Sequence, residues 1–131
     1  MGEKKINILF IFLQMGMGGS ERLVHNLVSK INRIKFNPSI AWFYGDDILE
    51  EFKKLKVPLY RIKKEKRFDC NAKMQLARII KGNNINVVNA HHFMSMVYSF
   101  YGCKIANNAK LVYTEHSKWE IEEINKKWIF I

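Results

Sequence analysis

The sequence predicts an α/β domain, a three-layer sandwich in which a mainly parallel sheet is covered by helices on both faces. Three observations point there. Short apolar runs alternate strictly with stretches whose apolar residues recur every three or four positions, the signature of βαβ units. The clearest run, Ile6–Leu13 (INILFIFL), is nearly continuous rather than alternating, which suits a strand buried on both faces. The chain has 131 residues, 48% apolar and 26% charged, enough for one globular domain with a true core.

The elements follow in order. After the first strand comes Gln14–Ser20 (QMGMGGS). Leu23, Val24, Leu27, Val28, Ile31 and Ile34 then form the stripe of an amphipathic helix, with Ser20 as expected N-cap and Glu21 at the positive end of its dipole. Ser39–Tyr44 (SIAWFY) is a second strand. Asp46 or Asp47 can cap a short helix over Ile48–Leu55. Val57–Ile62 (VPLYRI) is a third strand, and Pro58 puts it at a sheet edge or puts the proline at its start. Asn71 is the expected cap of a helix that turns Ala72, Leu76, Ile79 and Ile80 inward and stops at Gly82. Ile85–Ala90 (INVVNA) is a fourth strand, Phe93–Asn107 a helix, Lys110–Thr114 (KLVYT) a fifth strand, and Lys118 onward a further helix. That last helix is apolar at Trp119, Ile121, Ile124, Trp128 and Ile129 with no cap before Ile131. The expectation is a domain that lacks its final strands and a partner domain.

Charge narrows the partners. Lys plus Arg number 22 against 12 Asp plus Glu, giving +10 and a pI near 9.7, which favours anionic ligands and surfaces. Eight of the fifteen residues from Lys53 to Arg67 are basic, a candidate patch for anionic lipid, although such runs are commonly a solvated face. No nucleic-acid module is present and no nucleic-acid partner is expected. Cys70 and Cys103 form no CxxC and suit a reduced, cytoplasmic compartment. No window is long and apolar enough to be a transmembrane helix. Lys4-Lys5 before the first apolar run has the look of a leader, but the run is short, carries Asn7 and ends in glycines with a better use.

Ligands of parallel sheets bind outside the carboxyl ends of the strands. Three loops lie there: Gln14–Ser20, Ala90–Phe93 and Thr114–Ser117. The first holds Gly16, Gly18 and Gly19 ahead of a helix, where backbone N–H groups favour a phosphate. It is not the dinucleotide fingerprint, which would need glycine at position 21, where Glu stands. The other two carry His91, His92, Glu115 and His116, able to hold a hydroxyl or exchange a proton. These residues lack a short metal-ligand spacing, so no metal site is expected.

Three segments in this order resemble Glycosyltransferase Family 4. MGMGGSERLVHNLVSKI is similar to the family's Gly-Gly-x-Glu-Arg loop and first helix. NVVNAHHFMSMVYSF is similar to its fourth-strand segment ending in His, and KLVYTEHS to its fifth-strand Thr-x-His segment. The resemblance spans nearly the whole chain and implies that residues 1–131 are an incomplete Rossmann-like N-terminal, acceptor-side domain of the two-domain GT-B fold. It implies transfer of a sugar from a nucleotide-sugar donor to an acceptor hydroxyl of a glycan or lipid-linked glycan, with retention of configuration. It implies no cofactor or metal. Carried over by position, the backbone of Gly18 and Gly19 would approach the donor phosphates, Arg22 would either face them or be structural, His116 would act at the transferred sugar, and His92 and Glu115 would line the acceptor and sugar site. The acidic pair that grips the donor belongs to the absent C-terminal domain, so the chain alone is expected to be inactive. The implied place is the cytoplasm, peripheral to the inner face of a membrane. Two other readings stay open: a nucleotide-binding oxidoreductase domain and a non-catalytic basic binding module.

Overall fold

The computed structural model describes residues 4–16, 18–46, 49–107 and 109–115. Five strands are present among them: β1 (Ile6–Gln14), β2 (Phe36–Tyr44), β3 (Leu59–Arg61), β4 (Val87–His91) and β5 (Lys110–Thr114). They lie side by side in the order β3-β2-β1-β4-β5, and all four pairings are parallel. The helices are α1 (Gly19–Lys30), α2 (Leu49–Lys53), α3 (Cys70–Gly82) and α4 (Phe93–Ala106). The helix expected from Lys118 lies outside the described residues.

Strand parity divides the core in two. Leu9 and Ile11 of β1 point with Ala41 and Phe43 of β2 into one layer, closed by Ala72, Leu76 and Ile80 of α3 and by Tyr98 of α4. Phe10, Phe12, Ile40 and Trp42 point the other way, onto Val24 and Val28 of α1 and Phe52 of α2. Both faces of β1 are therefore buried, as its unbroken apolar run requires. A parallel strand joined by a right-handed crossover moves one way with helices on one face and the other way with helices on the opposite face. That is why α1 and α2 share one layer while α3 and α4 share the other.

Several local expectations change. The first helix is capped by Gly18, and Ser20 is a buried residue of its first turn, because the serine hydroxyl is engaged elsewhere. Val24 and Val28 are buried, whereas Leu23 and Leu27 are about two-fifths exposed and Ile34 lies beyond the helix end. The short helix spans Leu49–Lys53 only, with the Leu49 N–H donating to Asp46 O. β2 begins at Phe36 and contains Pro38. This is possible because β3 pairs only with Ile40–Trp42, so no neighbour asks for a proline N–H at that point. β3 is the edge strand that Pro58 implied.

α3 starts one residue after Asp69 rather than at Asn71. The Asp69 carboxylate accepts from the N–H groups of Asn71 and Ala72, and its second oxygen accepts from Glu65 N–H. The Glu65 bond first, opposed by desolvation and joined by Ala72, Asn71 and Lys66, holds this carboxyl below its usual range. At the other end Gly82 stays helical. The chain leaves through Asn83 and the left-handed Asn84. Tyr98 ties α4 to this cap, its hydroxyl donating to Arg67 O at 2.8 Å and accepting from Asp69 N–H at 2.9 Å.

Candidate functional site

The strand order reverses at β1. From it the chain proceeds outward through β2 and β3, then crosses back to β4 on its other side. Outside the carboxyl ends of β1 and β4 the two departing loops must diverge, leaving a crevice. The glycine loop and the His91–Phe93 turn both open there.

Three side chains meet across the crevice. Ser20 Oγ donates to Glu21 Oε1 at 2.6 Å and lies 2.7 Å from His92 Nε2. His92 Nε2 is in turn 4.0 Å from Glu21 Oε1. A hydroxyl has one proton to give. With that proton on Glu21, Ser20 accepts from His92, so Nε2 carries a hydrogen. Ser20 and Glu21 are buried, while His92 keeps about a third of its side chain exposed. A sheltered carboxylate–hydroxyl pair thus orients an imidazole that reaches the open crevice.

The backbone at His92 is as informative as its ring. It is the N-cap of α4 with φ 73° and ψ 151°. That corner is close to exclusive to glycine, and a side chain held there costs on the order of 1–3 kcal/mol. Such strain is retained where the surroundings fix it, and the Ser20 contact is one of those restraints.

Glu21 also explains one glycine. A Cβ at Gly18 would collide with Glu21 Oε2, because the carboxylate folds back over the helix N-cap. At Gly19 a Cβ would meet no heavy atom within 4 Å. The open approach to the helix N-terminus is therefore at Gly19, with Gly18 shielded by the chain's own carboxylate. Arg22 leaves the crevice: its guanidinium lies 3.8 Å from Glu51 on α2, both half-exposed.

A second polar group sits between β4 and β5. His91, the last residue of β4, is fully buried, with Nε2 2.8 Å from Asn89 Oδ1. Asn89 donates from Nδ2 to Val112 O at 3.2 Å and to Thr114 Oγ1 at 3.0 Å. Residues two apart on a strand share a face, so Asn89 and His91 lean together toward Thr114 across the ladder. Glu115 follows β5 and accepts a hydrogen bond from the Tyr113 hydroxyl. His116 lies outside the described residues.

The structure thus joins Gly18, Gly19 and His92 at one rim, adds Ser20 and Glu21, and sends Arg22 to α2. Ser20 was legible only as a cap, since its role depends on a partner 72 positions away. The Asn89–His91 pair had a readable signal: two polar residues at period two in an otherwise apolar strand. Among the described residues no three His, Cys, Asp or Glu side chains converge as a metal would require.

Comparison with known proteins meets this geometry. The sequence model of Glycosyltransferase Family 4 matches residues 17–130. The chain belongs to that family. Its fold is Rossmann-like and similar to a glycosyltransferase from Rickettsia africae ESF-5, with TM-score 0.67 at 18% identity, over 94% of this chain and 34% of that one. The chain therefore spans about a third of that protein's length. A second similar structure is the C-terminal domain of a hydrogenase from Pyrococcus furiosus, with TM-score 0.55 at 13% identity, over 88% of this chain and 94% of that one. At such identities both show the fold alone. No curated protein matches the chain.

Proposed function

We propose that this family domain forms the acceptor side of a retaining, nucleotide-sugar-dependent glycosyltransferase of GT-B type. The observation that carries the reading is His92, held in a strained N-cap by Ser20 at the sheet's switch point. In the reaction the acceptor oxygen bonds to the donor's anomeric carbon. The bond from that carbon to the diphosphate oxygen breaks with its electron pair, and the acceptor proton passes to that departing oxygen. A fixed imidazole beside the open Gly19 suits holding a sugar or acceptor hydroxyl in line for that exchange. Donors aimed at the departing diphosphate would stabilise the charge it gains. Gly19 supports this role better than Gly18, where the Glu21 carboxylate opposes an anion. Glu115 and His116 complete the acceptor and sugar side in this reading, with His116 at the reacting carbon. The nucleotide would be gripped mainly by a second domain, and this chain alone would not turn over.

The dinucleotide alternative is weakened by the same carboxylate, which stands where that fingerprint needs its third glycine. The test uses the enzyme carrying this domain together with its donor-binding half. Ser20→Ala and His92→Ala should each lower kcat by about 100-fold through mispositioning, read as nucleotide release matched to sugar incorporation. Undiminished transfer in both variants would overturn the assignment.

A further inference from the structure

We propose that the outer face of α3 and α4 is a docking surface for an anionic lipid bilayer. This inference is independent of the transfer reaction and rests on three features of that layer. The first is exposed apolar area: Phe68 is 64% exposed, Phe100 51% and Ile105 48%. On a helix, positions 97, 101, 104 and 105 share one side, so Val97, Tyr101 and Ile105 form an outward stripe of α4 in which Lys104 is the single charge. The second is the placement of cations at the aromatic rings. Lys73 Nζ lies 4.1 Å from the Tyr101 centroid, Arg67 Cζ 5.9 Å from Phe68, and Lys104 Nζ 6.0 Å from Phe100. The third is the absence of opposing charge. Between Asp69 and Glu115 the sequence has no Asp or Glu, yet it has five Lys and Arg. The opposite layer is different, with Glu50 and Glu51 on α2 and Glu21 on α1.

Aromatic and aliphatic side chains partition into the headgroup boundary, and lysines lay their stems on apolar surface while their ammonium groups reach phosphates. Helices α3 and α4 carry cations and rings and no Asp or Glu of their own, which fits that boundary. Exposed rings beside cations would also stack the bases of a single strand, but the aliphatic Ile105 beside them suits an acyl boundary better, and the RNA arm of the test separates the two. Among the described residues no helix is long and apolar enough to cross a membrane, so the contact would be peripheral. The basic run from Lys53 to Arg67 divides: Lys53 pairs with Glu50 and Arg61 lies on the edge strand, whereas Lys63 exchanges hydrogen bonds with Gln75 of α3 and Lys64 Nζ lies 5.7 Å from the Tyr98 centroid of α4. Arg67 and Phe68 follow the carboxyl end of β3, so the proposed surface begins at the same rim as the His92 crevice.

The test is co-sedimentation of the chain with vesicles of phosphatidylcholine, with and without phosphatidylglycerol, at low and high salt. The chain should bind the phosphatidylglycerol vesicles, less so at high salt. K73E/K104E should lower partitioning at least about 25-fold, near fivefold for each basic group. F68S/F100S should also lower it, while K53E/K54E, with the same charge change, should lower it less than K73E/K104E does. Phe68 and Phe100 are exposed, so the F68S/F100S melt should coincide with the parent's, while K73E/K104E gives up the Lys73–Tyr101 contact and should melt only slightly lower. Four results would overturn the proposal: no binding to phosphatidylglycerol vesicles, equal binding to pure phosphatidylcholine, patch variants that sediment like the parent, or tighter retention on single-stranded RNA than on the vesicles.

Discussion

Two substitutions at His92 separate the strain of its backbone from the bond of its ring. Alanine and glycine both remove the imidazole and with it the 2.7 Å contact to Ser20. Losing that bond costs about 0.5–1.5 kcal/mol. His92→Ala keeps a Cβ at φ 73° and ψ 151°, so the backbone strain remains. His92→Gly releases it, worth about 1–3 kcal/mol. Glycine also loosens the unfolded chain, which takes back about 0.5–1 kcal/mol relative to alanine. The balance leaves His92→Gly more stable than His92→Ala by up to about 2.5 kcal/mol, about 1 kcal/mol at mid-range. With urea slopes of about 1–3 kcal/mol/M, unfolding midpoints should separate by roughly half a molar. Both variants should lose transfer in the two-domain enzyme, so that glycine raises stability relative to alanine without restoring function. Coincident urea midpoints would show that the φ 73° conformation carries no strain. His92→Ala as stable as the parent would show that the ring contributes nothing to the fold.

Other consequences can be checked in the same preparations. Gly102→Ala should destabilise by up to about 2 kcal/mol, because its Cβ would lie 2.9 Å from Leu76 Cγ and 3.3 Å from Ile80 Cδ1, with overpacking partly offset by better helix propensity. A melting temperature at or above the parent's would refute that. Gly19→Val should fold like the parent, having open space around it, while raising the donor KM at least about tenfold if diphosphate approaches there; an unchanged KM would exclude the approach. Burial pushes the Cys103 thiol up to about 11, so a thiol reagent at pH 8 should modify the exposed Cys70 and reach Cys103 only after unfolding. The Asp69 carboxyl is held down in the fold, so its contribution is present above the ordinary carboxylate pKa of about 4 and is lost as pH falls through its lowered value. Asp69→Asn should therefore flatten the acid limb of a stability–pH curve, and an unaltered limb would refute the assignment.

The architecture was legible because it is written in local periodicities. INILFIFL reads as a strand buried on both faces, and Phe10 and Ile11 do point into opposite layers. The caps were less legible because several residues compete for each helix end. Asp69 prevailed over Asn71 because its carboxylate also gathers Glu65 N–H, a bond no inspection of a helix start would reveal. Gly82 was the obvious stop, yet Asn84 supplies the left-handed turn. Asparagine tolerates that conformation through its short polar side chain, so the two signals compete on nearly equal terms.

The site shows the same division more sharply. Gly18, Gly19 and His92 could be assigned to one rim because any parallel sheet brings the carboxyl ends of its strands together. What could not be read was the chemistry joining them. Ser20 and Glu21 are the commonest kinds of helix-start residue, and nothing local sets them apart from a cap and a dipole partner. Their function arises only when strand order 3-2-1-4-5 places β4 beside β1 and lays His92 against them. The strain at His92 is likewise a product of tertiary structure: the residue must leave β4, start α4 and meet Ser20 within a single position. An ordinary turn residue such as glycine would make that junction at lower cost. Histidine at that place has a physical rationale only if its ring is used.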